Sequence, residues 1–84
     1  MRKKKILEKL QSNAKNIKFE EFVTLINAFG FMLDRQSGSH NIYKKENIEE
    51  LINIQNYKGN VKPYQIKQFL SLIEKYNLNI EEKE

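Results

Sequence analysis

From Phe19 to Phe29 the apolar side chains Phe19, Phe22, Val23, Ile26 and Phe29 recur at the i, i+3, i+4, i+7 spacing of one buried helical face. Glu20 and Glu21 stand in the first turn, where the helix dipole favours anions, and Gly30 supplies a stop. The spacing predicts a helix over 18–29. Upstream, Ile6, Leu7 and Leu10 predict a shorter amphipathic helix over 3–12 with a basic outer face, followed by an Asn-containing connector over 12–16. Downstream the period shortens to two. Phe31, Leu33 and Arg35 alternate with Met32, Asp34 and Gln36, so one set faces away from the other. Ser37-Gly38 reads as a tight turn and 39–45 as the returning strand, with Ile42 and Tyr43 on opposite faces. Residues 46–50 form a polar connection with room for one helical turn. Residues 51–57 read as a third strand, with Ile52 and Ile54 facing alike, and Lys58-Gly59-Asn60 as a turn. Pro63 fits the first position of a last helix, where its missing N–H costs nothing. Ile66, Phe69, Leu70, Ile73 and Tyr76 form that helix's buried face, Asn77 ends it, and 80–84 is a mostly acidic tail expected to fray.

The predicted order is α-α-β-β-β-α, an α+β fold. Three sequential strands with short connections make a three-stranded antiparallel sheet, and two helices with apolar stripes pack on one of its faces. The helix before Ser12 is an addition to that α-β-β-β-α core. A chain of 84 residues fits a single domain over 1–84: a basic N-terminal helix in 1–15, a core at 18–77 and an acidic tail at 78–84. A domain of this size buries only about 60% of its unfolded surface, so a separate ligand pocket is not expected.

Composition narrows the chemistry. The chain has no cysteine, which excludes disulfides, zinc–thiolate sites and cysteine nucleophiles. No apolar run approaches the roughly 20 residues of a membrane span. The segment after the basic Arg2–Lys5 run is broken by Glu8 and Lys9, so it does not read as a secretion signal. The expectation is a soluble, cytoplasmic protein without a membrane partner. With one histidine and no carboxylate cluster at ligand spacing, neither a metal site nor a small-molecule cofactor is expected. The net charge is +4, but residues 1–18 carry seven Lys or Arg against one Glu, while residues 19–80 carry seven of each sign. The basic excess is N-terminal, and net charge alone argues only weakly for a nucleic-acid partner.

Two stretches carry a more specific signal. Phe29-Gly30-Phe31 leads, after Met32 and Leu33, into Asp34-Arg35-Gln36-Ser37-Gly38-Ser39-His40-Asn41-Ile42-Tyr43, and Lys58-Gly59-Asn60-Val61-Lys62-Pro63 opens the last helix. A Gly-Ser-His hairpin followed about 20 residues later by Gly-x-x-x-Pro resembles the HicA toxin family, over about residues 19–76. The resemblance implies a fold like the double-stranded-RNA-binding domain, a ribonuclease activity on mRNA, and a cognate HicB-like antitoxin. It also implies that the catalytic histidine is His40. Many relatives have a second histidine directly after it, where this chain has Asn41.

The residues themselves are compatible with that chemistry. An imidazole gives or takes a proton near neutrality. RNA cleavage by the ribose 2′-hydroxyl needs a base, an acid for the leaving oxygen, and positive charge at the phosphate. His40 sits beside a turn where Ser37, Gly38 and Ser39 leave room for a backbone to approach. Lys58, Lys62 and Lys67 surround the start of the last helix, whose N–H groups attract phosphate. Arg35, Lys44, Gly38 and Ser39 on the hairpin are further candidates for RNA contact. Tyr43 and Tyr64 are candidates for stacking on bases, and the Arg2–Lys5 run for salt-dependent attraction. From the residues alone, His40 also reads as an ordinary exposed histidine, each lysine as solvated surface and each tyrosine as a packing residue. A non-catalytic RNA- or DNA-binding module and a protein-interaction domain are the alternative functions.

Overall fold

The computed structural model describes residues 2–12 and 16–80, with residues 2–4 described as backbone only. Within them the predicted order holds: helices α1 (Arg2–Ser12) and α2 (Phe19–Ala28), strands β1 (Met32–Ser37), β2 (His40–Lys44) and β3 (Ile52–Gln55), and helix α3 (Pro63–Tyr76). The strands pair antiparallel in the order β1-β2-β3. The fold is α+β and is consistent with the double-stranded-RNA-binding-domain-like arrangement plus an N-terminal helix. Three expectations lie outside the described residues: the middle of the connector at 13–15, the side chains of Arg2, Lys3 and Lys4, and the acidic residues 81–84.

The helices end as their sequences demand. Gly30 adopts φ +95°, a conformation that favours glycine. The N–H groups of Gly30 and Phe31 return to the carbonyls of Asn27 and Ile26, a Schellman closure of α2. Pro63 is the first residue of α3, and Asn77 closes that helix in the left-handed region. Phe69 of α3 is the hub of the core: Phe22, Phe29 and Phe31 meet its ring edge-on at centroid distances of 5.4, 5.3 and 6.1 Å. Such edge-to-face contacts add to the stabilisation from burial itself.

Several expectations are corrected. On α2 the fully buried set is Phe22, Leu25 and Ile26, while Phe19 and Val23 are only partly covered. The stripe is wider than one face because α1 also packs on α2, placing Ile6 and Leu10 in the same core. On α3, Gln65 and Leu72 are buried, whereas Leu70, Ile73 and Tyr76 are half-covered. Residues 46–50 form no helical turn; Asn47, at φ +71°, bends the chain there. Ile80, expected in a fraying tail, packs with Leu78 against the core. The third strand is shorter than predicted, because the Asn56 side chain and a tight turn at Tyr57–Asn60 take over the hydrogen bonding after Gln55.

The largest correction is β1. It does not alternate: all six residues are exposed. The register slips between Leu33 and Arg35, so Asp34 is an extra residue. A bulge of one residue reverses which face the following side chains occupy. Leu33 therefore lies opposite buried Tyr43, but Arg35 lies opposite Ile42 on the other face. The covered face of the sheet is built by Asn41, Tyr43, Ile52 and Ile54. His40, Ile42, Lys44 and Asn53 stand on the open face.

Candidate active site

A two-residue hairpin places His40. Ser37 and His40 are cross-strand partners, so the turn is Gly38-Ser39, one residue later than predicted. Gly38 has φ +60° with open space where a Cβ would stand, so the backbone conformation, and not crowding, calls for glycine. His40 is then the first residue of β2, exposed and on the open face. Its cross-strand neighbour on β3 is Gln55, whose amide donates to the Ser39 hydroxyl at 3.2 Å. Nδ1 of His40 lies 3.2 Å from Oδ1 of Asn53. Among the described residues Asn53 is the polar side chain that bonds to this imidazole.

Asn41 turns the other way. It is buried, accepts a hydrogen bond from the Gln36 amide at 2.6 Å and donates to the Ile54 carbonyl at 3.2 Å. Position 41 therefore belongs to the covered face, and a side chain there points away from His40. Its neighbour Tyr43 is also buried, with its phenol pushed up by desolvation, and does not offer a ring for stacking. Tyr64 remains exposed.

The candidate cations separate into three groups. Lys58 and Lys62 reach the same end of the sheet as His40, because Gln55, opposite His40, is the last residue of β3 and the 57–62 loop follows it. The loop is tightly held. Tyr57 and Asn60 exchange backbone hydrogen bonds at 2.9 Å, Gly59 O accepts from Phe19 N–H, and Val61 N–H donates to Ile17 O. Tyr57, assigned to a strand by its sequence, is instead a surface ring, with the ammonium groups of Lys62 and Lys58 at 4.9 and 5.6 Å from its centroid. Lys62 is the N-cap of α3; Pro63 carries no N–H and the Gln65 N–H donates to the Lys62 carbonyl at 3.0 Å, which leaves the Tyr64 N–H of the first turn without a partner among the described residues. Arg35 and Lys44 share the open face with His40, but both pair with Asp34, at 2.6 and 3.1 Å. The Lys44 ammonium and then the Arg35 guanidinium hold the Asp34 carboxyl below its usual range, so this group stays anionic and offsets them. Lys44 is four residues from His40, about 13 Å along an extended strand. Lys67 lines a shallow groove with Gln11, Leu70, Ser71, Ile73 and Glu74, between α1 and α3. It does not join the other two lysines.

Asn53, Gln55, Tyr57 and Gln65 were not singled out by sequence. The period of two does put Asn53 and Gln55 on the face opposite Ile52 and Ile54, but only the β2–β3 register brings them to His40. Gln65, 98% buried in the first turn of α3, donates its amide to the Asn53 carbonyl at 3.0 Å, while its own carbonyl oxygen has no partner among the described residues. Among the described residues no group of three or more His, Cys, Asp or Glu is arranged to hold a metal ion, and no helix is long and apolar enough to cross a membrane. The arrangement offers one solvent-facing proton carrier, a glycine turn beside it, and two lysines at a helix N-terminus.

Searches of curated proteins and of solved structures returned no match. The family described as the HicA toxin of bacterial toxin-antitoxin systems matches residues 19–74, from the start of α2 to the last turn of α3, and so takes in the Gly38-Ser39-His40 hairpin and the Lys62-Pro63 helix start. This chain belongs to the HicA toxin family.

Proposed function

We propose that this toxin is an endoribonuclease that cleaves mRNA with His40 as its proton carrier and without a metal ion. The observation that carries the reading is the placement of the only histidine, exposed on the open sheet face beside a glycine turn, at the sheet end that also holds Lys58 and Lys62. In the reaction the imidazole takes the proton of a ribose 2′-hydroxyl. The 2′-oxygen bonds to the adjacent phosphorus and the bond from phosphorus to the 5′-oxygen breaks. The products are a 2′,3′-cyclic phosphate and a 5′-hydroxyl, whose proton comes from solvent water. Lys58, Lys62 and the positive end of the α3 dipole, with the Tyr64 N–H, supply positive charge for phosphate. Tyr57, between the two lysines, supplies a surface on which an unpaired base can stack.

A HicB-like antitoxin is proposed to neutralise the toxin by covering His40 and the adjacent lysines. A toxin–antitoxin complex that leaves this face accessible would refute the masking mechanism. The deciding experiment is cleavage of a labelled RNA, in the presence of a chelator, by wild-type and His40→Ala protein, with circular dichroism as the folding control. One positioned acid or base contributes typically about 10²- to 10⁴-fold, so a loss of that size is expected, together with loss of growth arrest on expression. Equal cleavage rates would remove His40 from the mechanism.

A further inference from the structure

We propose that Asn53 is the positioning residue for His40: its amide oxygen keeps the proton of the neutral imidazole on Nδ1 and leaves the Nε2 lone pair free to act as the base. The inference rests on the reading of His40 as the proton carrier. Its geometric basis is the 3.2 Å contact between His40 Nδ1 and Asn53 Oδ1.

Asn53 is well placed to direct a ring. It lies in β3 between Ile52 and Ile54, both fully buried, so its side chain is committed to the open face. One edge of its strand pairs with β2, where Asn53 stands opposite Ile42. Its carbonyl accepts the amide of buried Gln65, which ties the same residue to the first turn of α3. The exposed amide therefore stands on a backbone anchored to a strand and to a helix. His40 is anchored by the hairpin turn that precedes it.

The chemistry follows from what each atom can do. A neutral imidazole has one N–H and one lone pair, and in water the free ring favours the proton on Nε2. An amide oxygen can only accept, so a ring held against it must present Nδ1–H. Nε2 then faces solvent as an acceptor. When Nε2 takes a proton, Nδ1 still carries its own, and the bond to Asn53 is unchanged. The ring can cycle between its two states without turning. An amide also does this without the negative charge of a carboxylate, which would favour the protonated ring and leave fewer rings free to accept a proton at a given pH. Arg35 and Lys44 on the same face pair with Asp34, uncharged Ser37 and Gln55 flank His40 across the strands, and Lys58 and Lys62, at the His40 end of the sheet, are cations with no acidic partner among the described residues.

The chain has one histidine, so its nitrogen-15 spectrum contains a single imidazole and reports the tautomer directly. The spectrum is recorded on the whole protein above the pH at which the ring titrates, without RNA. In the wild type Nδ1 should carry the proton and Nε2 should show the shift of an unprotonated ring nitrogen. Asn53→Ala should move the ring towards the Nε2–H tautomer and slow RNA cleavage about 10- to 100-fold, the range typical for loss of the partner that orients a metal-bound imidazole. RNA affinity and the circular dichroism spectrum should not change. Asn53→Asp keeps the acceptor, so it should restore the Nδ1–H tautomer and raise the midpoint of the ring's titration, with the pH–rate profile following it. A wild-type ring protonated on Nε2 would overturn the inference, as would an Asn53→Ala protein with unchanged tautomer and rate. The wild-type spectrum decides even where a variant fails to fold. Failure of the ribonuclease reading is separately visible, as cleavage by His40→Ala at the wild-type rate.

Discussion

His40 and Asn41 are adjacent in sequence and serve opposite faces of the sheet, because successive side chains of a strand alternate. Asn41 is a structural polar group: buried, it joins Gln36 on β1 to the Ile54 carbonyl on β3. Asn41→Ala should therefore lower the free energy of unfolding by about 1–3 kcal/mol, since the Ile54 carbonyl loses a buried partner. Denaturant titration measures this. Asn41→His tests the placement more sharply. It creates the histidine pair that the family resemblance led one to expect, yet the added imidazole would face the core. The pH–rate profile of the folded Asn41→His protein should match that of the wild type. A new titrating limb would show that position 41 reaches the open face after all.

Among the elements, the 57–60 turn has an identifiable strain. Lys58 and Gly59 both have positive φ, +53° and +87°, as a two-residue turn of this type requires. Glycine adopts this conformation freely, whereas a lysine there is held at a cost of about 1 kcal/mol or more. Lys58→Gly should raise stability by about 1 kcal/mol, or Tm by roughly 4–8 °C for a chain of this size, while weakening RNA binding. A scanning calorimetry trace with unchanged or lower Tm would refute the strain. Which elements were legible follows the same local logic. The helices were, because their apolar period, Gly30, Pro63 and Asn77 are all local signals. The three strands and the hairpin were also legible, and with them the position of His40 beside its turn. The bulge at Asp34 was not, because nothing local distinguishes an extra residue from one more step of alternation. Missing it put Arg35 on the wrong face. The burial of Gln65 and the approach of Asn53 to His40 depend on register and on helix docking, which join residues far apart in the sequence.

At the scale of the whole molecule, charge is arranged locally and not as a net field. Glu50, in the connection before β3, accepts hydrogen bonds from Lys75 and Tyr76 at the end of α3, and these hold its carboxyl down at about 2 against an ordinary 4.5. The folded value is the lower one, so this contribution to stability is complete above pH 4.5 and fades as pH falls from there through about 2. Glu50→Gln should flatten that acid limb in denaturant midpoints measured from pH 7 down to 3; because the pair is exposed, the effect should be small. RNA binding provides the last test. The described core from 19 to 80 has equal numbers of basic and acidic residues, so attraction must come from where the cations stand. Each phosphate contact to a single strand contributes about 0.7 to the slope of log affinity against log salt. Lys58 and Lys62 lie at the His40 end of the sheet without an acidic partner among the described residues. Lys44 is paired with Asp34, and Lys67 lies in the groove between α1 and α3. In the non-cleaving His40→Ala background, replacing Lys58 and Lys62 together by Ala should lower the slope by about 1.4, twice the single-contact value. Lys67→Ala should leave it unchanged, and Lys44→Ala should change it less than either loop lysine. The measurement is fluorescence anisotropy of a labelled single-stranded RNA between about 50 and 200 mM salt, the range over which such contacts weaken strongly. A slope lowered as much by Lys67→Ala as by the loop variants would move the RNA path away from His40 and onto the helical side of the molecule.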